Sequence, residues 1–449
     1  MTVITGHVRT FYQLLLNTGL VSVINFTVWF AVTFWTYLQT RSVFATGIIS
    51  GIFLVLTALT GIWFGSLVDG HRKKTALQGS AVASLLFYSG ALAVYLAVPE
   101  HAFQDPADAR LWAFVLLLMF GVIAGNIRTI ALPTLVTLLI DEDRRDRANG
   151  LVGTVSGTTF LVTSVISGVL VAFDGMLSVL LLALAVLGLS LLHLAFIRIP
   201  ETVAPHETGA TAGVDIRGTL RIIAGVPGLF ALILFSTFNN FLGGVFMALA
   251  DAYGLSLISV QAWGLLWGVI STGMIIGGIA VSRTGLGKRP LRLLLLINLA
   301  LWAIIMIFPL WASIIPMAVG MYLYMLLVPY AEAAEQTILQ RVVPYERQGR
   351  VFGLAQSVEQ AASPLTAFLI SPITQFVFIP LMSDGGAGAR AIGSWFGTGA
   401  DRGMAVVFIL TGVLGIVATT IALASRPYRA LSHRVAGPTE ESDPAPAPA

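Results

Sequence analysis

The sequence predicts an all-α membrane protein of twelve transmembrane helices in two six-helix halves, with both termini in the cytoplasm. Three observations carry this. First, 57% of the 449 residues are hydrophobic and only 10% are charged, against roughly 25% charged in soluble domains. Its 25 basic and 22 acidic side chains are too few to build a water-facing surface of this size. Second, the apolar runs exceed the roughly 18 residues that mark a spanning helix, where barrel strands would alternate in polarity over about ten. Third, Lys and Arg collect on alternate connections between the runs.

The runs fall at about 12–37, 45–68, 76–98, 111–138, 149–172, 175–197, 227–250, 260–281, 291–309, 312–335, 353–380 and 403–424. Each meets the roughly 20 residues a helix needs to cross the hydrocarbon core. The first follows a single Arg and has no small-residue cleavage site, so it reads as a retained span, not a signal peptide. On the N-terminal side lie Arg9, Arg72, Lys73, Lys74, Arg144, Arg145, Arg147, Arg198, Arg217, Arg221, Arg283, Lys288, Arg289, Arg292, Arg341, Arg347, Arg350, Arg426, Arg429 and Arg434. The other side holds only Arg41, Arg110, Arg390 and Arg402, and Arg128 lies inside a span. The positive-inside rule then puts both termini in the cytoplasm. Arg outnumbers Lys 22 to 3, a bias of GC-rich bacterial genomes, so the expected location is a bacterial inner membrane.

The halves repeat. Asn25-Phe26 precedes Asn240-Phe241 by 215 positions, as Lys73-Lys74 precedes Lys288-Arg289. Later the offset becomes 203, with Arg147 to Gly150 matching Arg350 to Gly353. The twelve-residue stretch 99–110, an outer loop absent from the second half, explains the change. The expected domains are a six-helix bundle over 1–198, a cytoplasmic linker over 199–226, a second bundle over 227–430 and a tail over 431–449. Within the linker, 200–213 is rich in Pro, Thr, Ala and Gly and reads as flexible. Residues 214–224 put Ile216, Leu220 and Ile223 on one helical stripe and Arg217 with Arg221 on another, which suits an anionic membrane surface. Gly437–Ala449, with four prolines and three acids, has the composition of disorder.

Gly65-Ser-Leu-Val-Asp69-Gly-His-Arg72-Lys73-Lys74, between the second and third runs, resembles the G-x-L-a-D-R-x-G-R-K loop of the major facilitator superfamily. Gly70 and Arg72 replace its second Arg and inner Gly. Asp141 to Gly150, Arg341 to Gly353, and Asp215 to Gly218 leading into Val226 to Leu229 are similar to stretches of bacterial drug:proton antiporters, the group with macrolide-efflux and enterobactin-export proteins. The resemblance covers essentially the whole chain. It implies the major facilitator fold, with this loop clasping the two halves when the cavity faces outward. Gly65, Asp69, Arg72, Lys73 and Lys74 are then gating residues, and Asp69 would pair with a basic residue or a helix N-terminus. The alternative is that the three basic residues only set topology.

Ionisable residues inside a span cost roughly 2.5–3.5 kcal/mol each on insertion scales. Four stand out: Arg128 in the fourth span, Glu332 and Glu335 in the tenth, and Glu359 in the eleventh. Unpaired, they would together cost roughly 10–14 kcal/mol, comparable with the stability of a whole domain. Pairing, protonation or a wet cavity must offset this. The 203 offset maps Arg128 onto Ala331, beside Glu332. The resemblance implies that the first, fourth, seventh and tenth helices line the cavity, so Arg128 and Glu332 are expected to face each other. Glu332 and Glu335, three apart, share a helical face and titrate as a pair. Three roles stand open for the set: proton carriage, a static ion network, or substrate contact.

Asn25, Asn239 and Asn240 lie mid-span and can contact substrate or bond between helices. Trp29, Trp35, Trp263 and Trp267 are interface anchors or cavity wall, with anchoring the default. Trp29 joins the three asparagines in the candidate substrate set. Gly150, Gly153 and Gly157 allow close helix approach in the fifth span, where the family's proline-containing antiporter motif is missing. Pro133, Pro364 and Pro372 are expected to kink the fourth and eleventh spans. The long outer loop 382–402 is a cap or an interfacial hairpin.

No phosphate-binding loop, H-E-x-x-H, Cys–His cluster or G-x-S-x-G is present, so no catalytic residue, metal site or cofactor is expected. Zero cysteines exclude disulfides and thiol chemistry. The leading expectation is a monomeric secondary transporter exporting amphipathic small molecules, cationic or neutral, in exchange for protons by alternating access. Its partners are that substrate, protons and membrane lipid, with no nucleic acid. The rivals are a dedicated exporter of one natural product, such as a siderophore or an endogenous antibiotic, and a non-transporting scaffold or lipid scramblase. Costly intramembrane charges weigh against a scaffold.

Overall fold

The structure is a computed structural model that describes residues 2–40, 43–200 and 215–436. Among these residues every regular element is helical, and eleven helical segments are long and apolar enough to cross a membrane. Arg41, nearly all of the expected flexible linker and the expected tail from 437 onward lie outside the described residues.

The first half comprises α1 (Thr2–Thr40), α2 (Val43–Gly70), α3 (Lys73–Ala97), α4 (Ala109–Gly125), α5 (Ile127–Leu139) and α6 (Arg145–Phe196). The 52 residues of α6 would reach about 78 Å if straight, more than twice the roughly 30 Å hydrocarbon core. The helix breaks at Asp174 (φ −150°, ψ 30°) and Gly175 (φ 58°, ψ −139°). Only a residue without Cβ takes the second of these readily, so the fifth and sixth apolar runs meet there. The fourth run is divided too, at Asn126, where i→i+3 bonds from Asn126 N to Ile123 O (2.9 Å) and from Thr129 N to Asn126 O (3.1 Å) tighten the chain. This interruption lies about two turns before Pro133, which sits buried inside α5.

The second half holds α7 (Ile216–Gly225), α8 (Leu229–Leu257), α9 (Val260–Thr284), α10 (Pro290–Ile307) and α11 (Ile314–Val342). Then come α12 (Gln348–Ile373), α13 (Ile379–Met382), α14 (Ala387–Phe396), α15 (Ala400–Ala424) and α16 (Arg426–Ala436). A single π turn, Thr374–Phe378, joins α12 to α13 just after Pro372; proline supplies no N–H there, and such bulges re-aim a helix. Asp215 caps α7 by accepting from Gly218 N at 2.8 Å. The apolar stripe read on α7 divides: Thr219 and Ile223 are buried, while Ile216 and Leu220 are exposed beside Arg217 and Arg221.

The outer loop 382–402 folds largely into α14. Arg402, expected in that loop, is instead buried at the start of α15. Its guanidinium binds Asp401 (2.9 Å), donates to Pro309 O (3.1 Å) and the Tyr253 hydroxyl (2.8 Å), and lies 5.1 Å from the centre of the Phe396 ring. Phe396 is buried and Trp395 is 69% exposed, so one aromatic pins α14 and the other faces outward.

Three hydrophobic clusters set the overall shape. One joins both halves at the end carrying the basic loops, with Leu14, Ile130 and Leu139 of the first half packed among Val281, Ala333, Ile338 and Val351 of the second. At the far end the clusters separate. Trp35, Phe103, Phe114 and Met176 belong to one, and Phe246, Tyr253, Phe308 and Phe408 to the other.

Candidate functional site

Two seams hold the halves together at the basic end. Along the first, α2 lies against α12 so closely that a Cβ on Gly65 would overlap the Gly349 carbonyl, and one on Gly353 the Gly61 carbonyl. At its end the Asp69 carboxylate accepts from Gly349 N (2.7 Å) and Arg350 N (2.8 Å). These are free amides of the first turn of α12, where the helix dipole favours an anion. Around Asp69, Arg72 precedes α3 and is exposed. Lys73 is buried with its ammonium 5.1 Å from the centre of the Tyr345 ring. Lys74 donates to Ala195 O (2.9 Å) and Ile197 O (2.7 Å) at the end of α6.

The second seam joins α6 to α9 and α11. Asn149 Nδ2 donates to Thr337 Oγ1 (2.9 Å) and Gln340 Oε1 (3.0 Å), and Gln340 Nε2 donates to Pro133 O (3.0 Å). Asp146 Oδ2 accepts from Leu286 N at 2.8 Å. The two latches differ in what they join: Asp69 reaches from the end of α2 to the start of α12, whereas Asp146 reaches from the start of α6 to the connection after α9.

Above the seams a cavity of about 520 Å³ opens at the opposite end. Its walls come from α8, α9, α10, α11 and α12, with Phe160 the lining residue from the first half. Ser236 and Glu335 form the floor, where Ser236 Oγ donates to Glu335 Oε1 at 2.6 Å. The side chains of Glu335 and Glu359 meet, bringing α11 and α12 together here. Glu359 Oε1 is buried with no hydrogen-bond partner. Glu332, one turn toward the mouth, is exposed to the cavity. Asn239 and Asn240 line the wall, and Asn239 Oδ1 accepts from Trp302 Nε1 at 2.7 Å.

The structure therefore brings Glu332, Glu335, Glu359, Asn239 and Asn240 together. It parts them from Arg128, Asn25 and Trp29. Arg128 does not face Glu332: it is buried in the first half, donating to Asn17 Oδ1 (2.9 Å) and Leu77 O (3.5 Å), with Nε unpartnered. The bend at Asn126 precedes it and the cavity lies in the other half, so repeat position did not translate into opposition. No ion network of Arg128 with Glu332 and Glu359 forms. Asn25 is buried over Gly125 and accepts from the Tyr88 hydroxyl at 2.9 Å. Trp29 packs on Phe53, ring centres 5.1 Å apart, away from the cavity lining. Trp35 is core, and Trp263 and Trp267 both donate to Asp251.

Sequence reasoning missed Ser236, Trp302, Tyr324 and Asp251 in the cavity and Asp146, Asn149 and Gln340 at the seam. Asp251 was within reach: an acidic residue one position beyond the expected end of the seventh run, in a helix that extends to Leu257.

The sequence profile of the Major Facilitator Superfamily matches residues 14–367. The chain belongs to this superfamily of transporters. Major facilitators are transporters and not enzymes. Among its relatives, macrolide efflux protein A of Streptococcus pyogenes is 22% identical over 356 residues, covering 76% of this chain and 83% of that protein. Among solved structures, a bacterial homologue of the iron transporter ferroportin in its outward-facing state superposes with a TM-score of 0.69 at 17% identity, covering 93% of this chain and 100% of that one. The proton:xylose symporter XylE gives 0.64 at 15%, covering 93% and 96%. A human organic anion transporter gives 0.62 at 15%, covering 91% and 99%. At these identities the structural likeness concerns the fold.

Proposed function

We propose that this major facilitator exports amphipathic small molecules across a bacterial inner membrane in exchange for protons, by alternating access. In this reading α6 crosses twice, giving twelve spans, the basic loops and both termini are cytoplasmic, and residues 1–198 and 227–430 rock as two bundles in a monomer. Latched at the basic end and open at the other, the molecule is then outward-facing. What supports the reading is that the Glu335 carboxyl on the cavity floor meets the Glu359 side chain behind it, a pair able to take up a proton where cargo would sit. Cargo binds from the cytoplasmic side, and a proton arriving from outside takes its place on the floor carboxyls. One proton moving down about 100 mV yields about 2.3 kcal/mol, roughly a fifty-fold cargo gradient. The macrolide-efflux relative supports export of a bulky amphipathic compound.

The test is accumulation of a compound panel, macrolides included, in an efflux-deficient bacterium expressing wild type, Glu335→Gln, Glu359→Gln or Glu332→Gln at equal levels, with and without an uncoupler. Wild-type export should collapse with the uncoupler and fall at least about tenfold in Glu335→Gln. Export that persists with the uncoupler would end the proton-coupled reading.

A further inference from the structure

At the mouth of the cavity, 15 residues beyond Ser236 on the same helix, stands Asp251. At 1.5 Å per residue it lies roughly 22 Å from the floor, too far for one small charged group to touch both. Two indole N–H groups converge on one of its oxygens, Trp263 Nε1 at 2.9 Å and Trp267 Nε1 at 3.3 Å to Oδ1. Trp263 is buried and fixes the carboxylate; Trp267 lines the cavity beside it. Oδ2 bonds to nothing among the described residues, and Asp251 is exposed.

None of the lining residues is Lys, Arg or His, and three of them are Asp251, Glu332 and Glu335. Phe246, Trp302 and Tyr324 line the path between mouth and floor. Aromatic faces attract cations through the ring quadrupole, and a wall carrying one sign of charge concentrates ions of the other.

We infer that Asp251, Trp263 and Trp267 form an outer cation station on the cargo path, taking the positive end of a protonated amine or quaternary ammonium compound. This rests on the export reading above and narrows its cargo to cations. A cation displaced from the floor by a proton meets a second anion on its way out. The indoles hold Oδ1, so Oδ2 is left for the cargo.

The test is equilibrium dialysis of purified full-length protein in detergent, without a gradient, with tetraphenylphosphonium and with tetraphenylborate, ions of like shape and opposite charge. Wild type should bind the cation and bind the anion at least about tenfold more weakly. Asp251→Asn should weaken cation binding roughly five- to tenfold, the worth of one partly desolvated ion contact, and Asp251→Glu should restore most of it. No cation binding, equal binding of both ions, or an Asp251→Asn affinity within about twofold of wild type would each overturn the station. The comparison of two ions on wild type needs no variant to fold. A protein that binds the cation through Asp251 yet exports nothing in cells would sink the export reading and leave the station standing.

Discussion

Buried ionisable side chains in this protein meet two fates. Arg128 and Arg402 are each about 1% exposed, yet Arg402 has a carboxylate, a hydroxyl and a carbonyl, while Arg128 depends on neutral acceptors. Asn17 is the main one. It accepts from Arg128 and donates to Ser190 O at 2.8 Å, with its Nδ2 3.3 Å from His193 Nδ1. Truncating it strands a buried guanidinium, and leaving such a group unsatisfied costs roughly 1–3 kcal/mol or more. Asn17→Ala should therefore lower the melting temperature in detergent, although Asn17 is remote from the cavity; an unchanged melting temperature would show that Arg128 finds another acceptor. Asn25→Ala should likewise destabilise through the lost Tyr88 bond, without changing which compounds are exported. A changed compound profile would return Asn25 to the substrate path.

Among the helices, irregularities coincide with neighbouring packing. The break at Asp174–Gly175 turns one very long helix back, the bend at Asn126 separates α4 from α5, and the π turn after Pro372 leads into α13 and α14. Arg402 ties the last of these to α8 and to the end of α10, through Tyr253, Pro309 and Phe396. Arg402→Ala leaves Tyr253 and Asp401 without it, and roughly 2–3 kcal/mol should be lost. The measurement is protease sensitivity of the segment 383–399 together with thermal stability. Wild-type resistance in the variant would mean that Phe396 packing alone holds α14. Since no residue of α14 lines the cavity, export by properly folded protein should change little.

For the molecule as a whole, the division is between a closed basic end and an open far end. Because the chain contains no cysteine, a cysteine pair can lock the seam without interference. Asn149 and Thr337 touch across it at 2.9 Å. Asn149→Cys with Thr337→Cys should cross-link under oxidant and stop export, and reductant should restore it. Full export by the cross-linked protein would mean that this seam never opens. Conversely, Gly65→Leu places a side chain where the Gly349 backbone sits. It should force the α2–α12 seam apart and raise labelling of a cysteine introduced at Gln340.

The all-helical, apolar character of the chain could be read in advance, because hydropathy is summed along the chain and needs no knowledge of neighbours. Glu332, Glu335 and Glu359 were legible for the same reason: a charge in an apolar run is conspicuous whatever surrounds it. Asp251 and Arg402 escaped because each falls one residue outside an expected run, and hydropathy blurs a helix end by about a turn. Partnership was not legible. Arg128 stood opposite Glu332 by repeat arithmetic, yet it binds Asn17; Asn25 and Asn240 occupy equivalent positions, yet one is buried under Tyr88 and the other lines the cavity. Repeat arithmetic gives only a position along a helix. Which side chain lies across from it depends on helix rotation, bends and the tilt between halves, and those follow from packing among residues far apart in the chain.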